Sequence, residues 1–406
     1  MKVFVVNCGS SSIKYQLFSM TNETVMAKGL LERIGSSSAV LHHQVAERNG
    51  KPAGKVDKTV SAPNHAEGMK ILLDMLVDPE LGVISSIDEI QAVGHRVVHG
   101  GEKISQPCLI DDNVRAVIRE NFQLGPVHNP PNLMGIDAAM ADMPTIPNVA
   151  VFDTAFLATL PPRAYRYAVP AEWYNKYHVR KYGFHGTSHR YVTIQAARHL
   201  GKSLDDVCLI TVHLGNGCSM TAVSGGKAVD HSMGMTPLEG LIMGTRCGDI
   251  DPACVFYMQK MGLTTDQVDG TLNKKSGLLG VSEYSNDMRD LLAAVERGND
   301  KARLAVDMFV YRIVKYVGSY YTILPRVDAV VLTGGIGENS LPIRRQIVDQ
   351  LTRLGAIADE GRNAAAVGGK AGAITADGST LPVWVIPTNE ELMIARDTAA
   401  LVSVAK

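Results

Sequence analysis

The chain has 406 residues, longer than the roughly 250–300 at which a single core stops growing, so two domains are expected. With 46% hydrophobic and 20% charged residues it is neither disordered nor fibrous, and a net charge of −1 without a basic block excludes tracking of a nucleic-acid backbone. No apolar run approaches the ~18 residues of a membrane span. The cysteines Cys8, Cys108, Cys208, Cys218, Cys247 and Cys254 form no CxxC pair, which points to a reducing, cytoplasmic setting. The opening MKVFVVNC imitates a signal with a lipidated cysteine, but its short apolar run falls below the ~7–15 residues of such a segment and reads as a first strand.

In chain order, 2–7, 13–18 and 24–34 read as three strands joined by turns, the first buried on both faces. A polar stretch, 35–62, follows. Residues 65–78 have helical period, 90–101 begin as a strand, and 114–122 are helical again, an α/β alternation. The opening pattern then recurs: VCLITVHLGNGCSMTAVSGGKAVDHSM, 207–233, repeats strand, Gly/Ser-rich turn, strand and strand, as an internal duplication does. The join falls near 145–160, where a proline-marked loop enters a new strand. Further on, 327–355 read as strand, glycine turn and a helix capped near Asn339 or Ser340 and stopped at Gly355. Residues 383–402 read as a strand and a helix with a capping box from Thr388 to Glu391, and 362–378 as surface loop.

Three glycine-rich turns, NCGSSS, HLGNGCS and TGGIGEN, each follow an apolar strand. Freed amides, Ser hydroxyls and a helix N-terminus can hold phosphate oxygens, although glycine also simply serves tight turns. No P-loop or complete dinucleotide fingerprint occurs. Charged residues stand in apolar surroundings at Arg96, Arg246, Asp153 and Glu390. A buried carboxylate at Asp153 calls for a cation, either Mg²⁺ with phosphate oxygens or a structural salt bridge; Glu390 also suits the first turn of a helix. The arginines suit bidentate capture of carboxylate or phosphate, or a surface ion pair. His95, His99, His128, His185 and His189 form a third group. The four-residue spacing of His185 and His189 lacks a third metal ligand, so hydrogen bonding to an anion fits better.

NCGSSSIKY, GHRVVHGGE, GPVHNPPNL, VFDTAF, YGFHGTSHRYV, HLGNGCS, MGMTPLEGLIMGTRCGDIDP, LTGGIGENS and IPTNEELMIARDT run in order over nearly the whole chain, and together the chain resembles the acetate kinase (acetokinase) family. The resemblance implies an α/β fold of two duplicated RNase H-like, actin-like ATPase domains flanking a nucleotide cleft, 1–152 plus 385–406 and 153–384. It also implies ATP + acetate ⇌ ADP + acetyl phosphate, Mg²⁺ with Mn²⁺ as an alternative, and a homodimer.

Residue by residue, the resemblance places Asn7 and Glu390 at the metal. Asp153, Arg96, Arg246, His185 and His128 fall at the reacting groups, and Val98, Val127, Phe184 and Pro237 around the acetate methyl. It assigns the nucleotide to Ser10, Ser11, Ser12, Lys14, His213, Leu214, Gly215, Asn216, Gly217, Asp287, Met288, Arg289, Gly334, Gly335, Ile336, Gly337, Glu338 and Asn339. Relatives are expected to carry leucine at position 127, so propionate is a plausible second substrate. A propionate or butyrate kinase is the nearest alternative, and an ATP-switched binding protein, which shares the fold, is the alternative from another class.

Overall fold

The apolar run that opens the chain becomes β1 (Lys2–Cys8), with Val3 to Val6 fully buried. It lies inside an eight-stranded sheet with β2 (Ser12–Ser19), β3 (Thr24–Glu32), β4 (Ser36–Val45), β5 (Gly54–Ala62), β6 (Ala92–Val97), β7 (Cys108–Leu109) and β8 (Asn148–Phe152), ordered β5-β4-β3-β2-β1-β6-β8-β7. Among its described residues only β1–β6 and β6–β8 pair in parallel. A second, six-stranded sheet comprises β9 (Cys208–Leu214), β10 (Cys218–Ser224), β11 (Lys227–His231), β12 (Ala329–Thr333), β13 (Gly372–Ala373) and β14 (Val383–Val385), ordered β11-β10-β9-β12-β14-β13. Here too an antiparallel meander leads into two parallel strands, β9–β12 and β12–β14. The fold is α/β with the duplicated topology expected.

This computed structural model describes residues 1–47 and 53–404. The chain divides into two compact units, Met1–Ala155 with the chain from Asn389 on, and Phe156–Thr388. Among the described residues no helix is long and apolar enough to cross a membrane.

In the first unit, the helices His65–Leu76 and Asn129–Asp142 pack on the sheet through Met69, Leu72, Ala138 and Ala139, against Phe4, Val6 and Ile13. Gly135 lets the second helix lie against β1, since a Cβ there would fall 2.1 Å from Cys8 Sγ. Cys8 is therefore core, its thiol pushed up to about 12 by burial. The C-terminal helix, Glu390–Val404, packs against β1, β6 and β8. In the second unit, the helix Gly186–His199 buries Val192, Ala196 and Ala197 against Leu209, Ala329 and Val331.

The structure adds one feature to the sequence reading and corrects two expectations. The polar stretch 35–62 contains β4 and β5; only its centre, 48–52, lies outside the described residues. Alternate residues Ala39, Leu41, His43 and Val45 point inward, and the serines and histidines between them hide that period. Residues 362–378 are not all loop, because the helix Glu360–Ala365 and β13 fall there. The cap of the last helix is Asn389, whose Oδ1 accepts from the Leu392 amide at 3.0 Å, and not Thr388, which accepts from the Ser188 hydroxyl.

Gly94 in β6 faces the C-terminal helix so closely that a Cβ would fall 2.4 Å from Thr398 Oγ1 and 2.9 Å from Ile394 Cγ2. Gly94→Ala is expected to destabilise the protein by about 1–3 kcal/mol, read from the urea midpoint, and an unchanged midpoint would show that the helix yields freely.

Candidate functional site

In both units the candidate residues gather at the carboxyl ends of the parallel strands, where open α/β sheets bind ligands. In the first unit these are the ends of β1, β6 and β8. Asn7 and Arg96 each follow the registered pair Val6–His95, and Asp153 follows β8, its amide donating to the Val97 carbonyl at 2.9 Å. Arg96 Nη2 donates to Asp153 Oδ2, and Arg96 Nε lies 3.8 Å from Glu390 Oε2. Asp153 is 1% exposed and faces that guanidinium, the arrangement a buried carboxylate requires. Arg96 is held above the ordinary range: desolvation opposes its charge, but Asp153 and Glu390 outweigh it. Its buried Nε has no hydrogen-bond partner, an unmet donor inside the cluster on the side of Glu390.

Glu390 is pushed up to about 7, first by desolvation and next by the Asp153 charge. Two carboxylates crowded onto one arginine, with the Asn7 amide on the neighbouring strand, fit a hard divalent cation that fills its shell with phosphate oxygens and cancels the excess charge. Among the described residues no three His, Cys, Asp or Glu assemble into a metal cage, so a closed zinc-type site is absent from them.

The NCGSSS turn runs between Cys8 and Ile13, closed by the Gly9 amide to the Ser12 carbonyl at 2.8 Å and held by His65 Nε2 on the Gly9 carbonyl at 2.8 Å. Ser10 and Ser11 are exposed and Ser12 is half-buried. Lys14 pairs across β1 with Asn7 and forms an ion pair with Glu391. Val98 is buried, Val127 is 61% exposed, and His128 stands at the N-cap position of the helix Asn129–Asp142. His95 is buried and bound to Asn148 Oδ1 at 2.7 Å, and burial lowers it to about 4, a neutral structural histidine.

In the second unit His185 adopts a left-handed backbone (φ 59°) just before the helix Gly186–His199. Such a conformation is strained for a residue with a side chain and marks a fixed position. His185 Nδ1 bonds Ser219 Oγ at 2.9 Å, Ser219 Oγ bonds His189 Nε2 at 2.7 Å, and His189 Nδ1 bonds Thr211 Oγ1 at 2.7 Å. His189 is thus a buried prop behind His185, and desolvation drives it well below the ordinary range. The His185 and His213 rings lie 4.4 Å apart. Gly217 keeps this corner open, because a Cβ there would meet His185 Cε1 at 3.3 Å and Arg246 Nη1 at 3.5 Å. Desolvation lowers Arg246, and among the described residues it has no carboxylate partner. Phe184 is buried and Pro237 half-buried in this same unit.

A cavity of about 700 Å³ collects Gly215, Asn216, Asp287, Met288, Arg289, Gly335, Ile336 and Asn339, a volume suited to a nucleotide. Sequence reasoning missed Asn286, Leu292, Ser340 and Pro342 on its wall. Asp287 caps the helix Met288–Glu296 and binds Arg289, whose hydrogen bonds lower it to about 2. The Glu338 carboxylate, assigned above to the nucleotide, accepts from the amides of Gly334 (2.9 Å) and Thr388 (3.1 Å), tying the glycine turn to the end of β14. Gly334 itself needs its positive φ of 77°, with the Leu214 carbonyl 2.8 Å from any Cβ. Leu214 and His213 end β9, Gly215 opens its turn, and Gly337 is buried in the helix Gly334–Asn339.

The sequence model of the acetokinase family matches residues 2–396. An acetate kinase of Methanosarcina mazei is 54% identical over 399 residues, 98% of this chain and 96% of that protein. The crystal structure of Porphyromonas gingivalis acetate kinase superposes with a TM-score of 0.93 at 44% identity, covering 99% of each chain. That of a propionate kinase from Francisella tularensis gives 0.91 at 39% identity, covering 98% of this chain and 99% of the other.

The two arginines differ in what their removal strands. Arg96→Ala removes the guanidinium that faces the buried Asp153 and is expected to cost about 3–5 kcal/mol in urea unfolding. Arg246→Ala strands no carboxylate and is expected to cost under about 1 kcal/mol; equal losses would contradict this electrostatic assignment.

Proposed function

The chain belongs to the acetokinase family, and on that premise we propose that it catalyses reversible transfer of the ATP γ-phosphoryl group to acetate, giving acetyl phosphate and ADP by in-line displacement. The observation that carries the reading is the Arg96 guanidinium, locked to Asp153 on one side and with a buried, unsatisfied Nε–H on the other. Acetate is already a nucleophile at neutral pH, so no strong base is needed; the barrier lies in bringing two anions together. Arg96 and Arg246 orient the carboxylate and the phosphoryl oxygens. His185, with Nδ1 engaged by Ser219, donates to the phosphoryl group through Nε2, and His128 stands by the same group. Asn7 and the serines of NCGSSS face the phosphates, while Asn216, Gly217 and the walls of the 700 Å³ cavity take the rest of the nucleotide.

Asp153 and Glu390, with Asn7, would hold Mg²⁺, which would supply positive charge to offset that of the phosphoryl group in the transition state. Val98, Val127, Phe184 and Pro237 receive the methyl group. One methylene in such a pocket is worth only ~1–3 kcal/mol, so propionate is a second substrate, in keeping with the likeness to a propionate kinase.

The enzyme works in the cytoplasm, a setting supported by six free thiols. It acts as a homodimer, a reading supported by large apolar side chains left open on the second unit, among them Phe256, Tyr257 and Tyr311 at 60–61% exposure.

Trapping acetyl phosphate as its hydroxamate, with ATP, Mg²⁺ and acetate, propionate or butyrate, tests the reading. Activity is expected to fall in that order, with Arg246→Ala lowering kcat by about 10²-fold; no acyl phosphate, or a clear preference for propionate, overturns the assignment to acetate. Light scattering is expected to give twice the 43.7 kDa of one chain, and Tyr311→Glu to shift the mass toward one; a wild-type monomer removes the dimer.

A further inference from the structure

Two asparagines three residues apart open the helix Asn129–Asp142, and both are buried. Asn129 serves mainly one loop: its Oδ1 accepts from the His99 amide at 3.0 Å, and its Nδ2 donates to the carbonyls of His99 at 2.9 Å and Ile118 at 3.2 Å. Asn132 is different. Its Oδ1 accepts from the Val98 amide at 3.0 Å, and its Nδ2 donates to the Cys8 carbonyl at 2.7 Å. A backbone amide only donates and a carbonyl only accepts, so the orientation of the Asn132 side chain is fixed.

The two peptides it joins are not ordinary structural ones. The Cys8 carbonyl belongs to the peptide that enters the NCGSSS turn, so the bond sets the plane in which Gly9 and the following serines leave β1. The Val98 amide lies two residues beyond Arg96, on the loop that carries the acyl-pocket side chain. A side chain as short as asparagine spans both only because Gly135 brings the helix onto Cys8, and because Pro130 and Pro131 stiffen the first turn of that helix. A buried asparagine often does no more than satisfy loop peptides, and Asn129 fits that description. Asn132 instead ties together two segments far apart in sequence, each bearing groups of the proposed reaction.

We propose that Asn132 is a positioning residue that sets the phosphate-facing turn and the acyl-pocket loop at a fixed spacing, and so governs both phosphoryl transfer and acyl-chain selection. This rests on the phosphotransferase reading above. Asn132→Ala frees both segments. Asn132→Asp keeps the acceptor for Val98 but places a carboxylate oxygen against the Cys8 carbonyl, so it disturbs the turn alone.

The test compares kcat/KM for acetate and propionate, and the Kd for ADP, in wild type and both variants. Asn132→Ala is expected to lower kcat/KM for acetate by about tenfold or more and to compress the acetate-to-propionate ratio by about threefold or more. Its ADP affinity is expected to fall by a smaller factor than kcat/KM for acetate, since the cavity that takes the rest of the nucleotide is lined by the second unit while only the phosphate-facing turn is freed. Asn132→Asp is expected to lose kcat while keeping the wild-type acyl ratio. Near-normal kinetics in folded Asn132→Ala overturns the proposal, as does a loss of activity that leaves the acyl ratio unchanged. Failure of both variants to fold assigns Asn132 to the core alone and overturns it too. If wild type itself makes no acyl phosphate, the phosphotransferase reading falls, which separates that failure from the failure of this one.

Discussion

A carboxylate that water barely reaches cannot stay ionised without a cation beside it, and Asp153 has Arg96. That pair joins the carboxyl ends of two parallel strands, β6 and β8, and its position decides much of what surrounds it. Glu390, the first residue of the last helix, is buried beside this pair, and desolvation first and the Asp153 charge second make that carboxyl give up its proton reluctantly. The pair also leaves one guanidinium N–H unsatisfied inside protein. The cluster therefore has excess negative charge in one place and an unmet donor in another, the pairing of needs that a metal-bound phosphate and a carboxylate substrate meet together.

Each unit solves the same folding problem with the same topology, and then diverges. The first meander extends into β4 and β5, whose edge carries Lys55, Asp57 and Lys58, charges that discourage another strand from pairing there. The second unit adds helices instead, and the helix Met288–Glu296 with the glycine turn after β12 encloses a cavity. The specialisation follows: the first unit concentrates fixed charge at its strand ends, while the second builds volume and a propped histidine.

Much of this was legible in the sequence because it followed from short-range rules. An apolar run ending in glycine and serine gives a buried strand and an open turn wherever it occurs, so β1, β2, β9 and β10 and their turns could be read directly. Asp153 and Arg96 stood out as charges in apolar surroundings. What stayed hidden depends on contacts distant in the chain. The inward alternation of β4 passes through serine and histidine, and His43 becomes a core residue only because Tyr15 lies across from it. Asn132 carries no signal of its own in a proline-rich stretch until Cys8 is seen opposite. Asn389 and Thr388 are equally good caps on paper, and the choice falls to Asn389 because Thr388 is held by Ser188. Asn286 and Pro342 have no local signature at all; they matter because two remote segments close around one space.

The chain leaves its first unit after Ala155 and returns to it only at Asn389. The strand β6, with Gly94 shaped to receive the helix Glu390–Val404, therefore stays uncovered during synthesis until that helix has been made. At typical synthesis rates that delay is on the order of ten seconds or more. The usual order of N-terminal domain first is inverted, since the inserted unit has all its residues before the enclosing one does. Glu390 arrives with that helix, so a chain stopped before it lacks both the cover of its first sheet and the second carboxylate beside Arg96. Covering the first unit's sheet and completing its charge cluster are the same event.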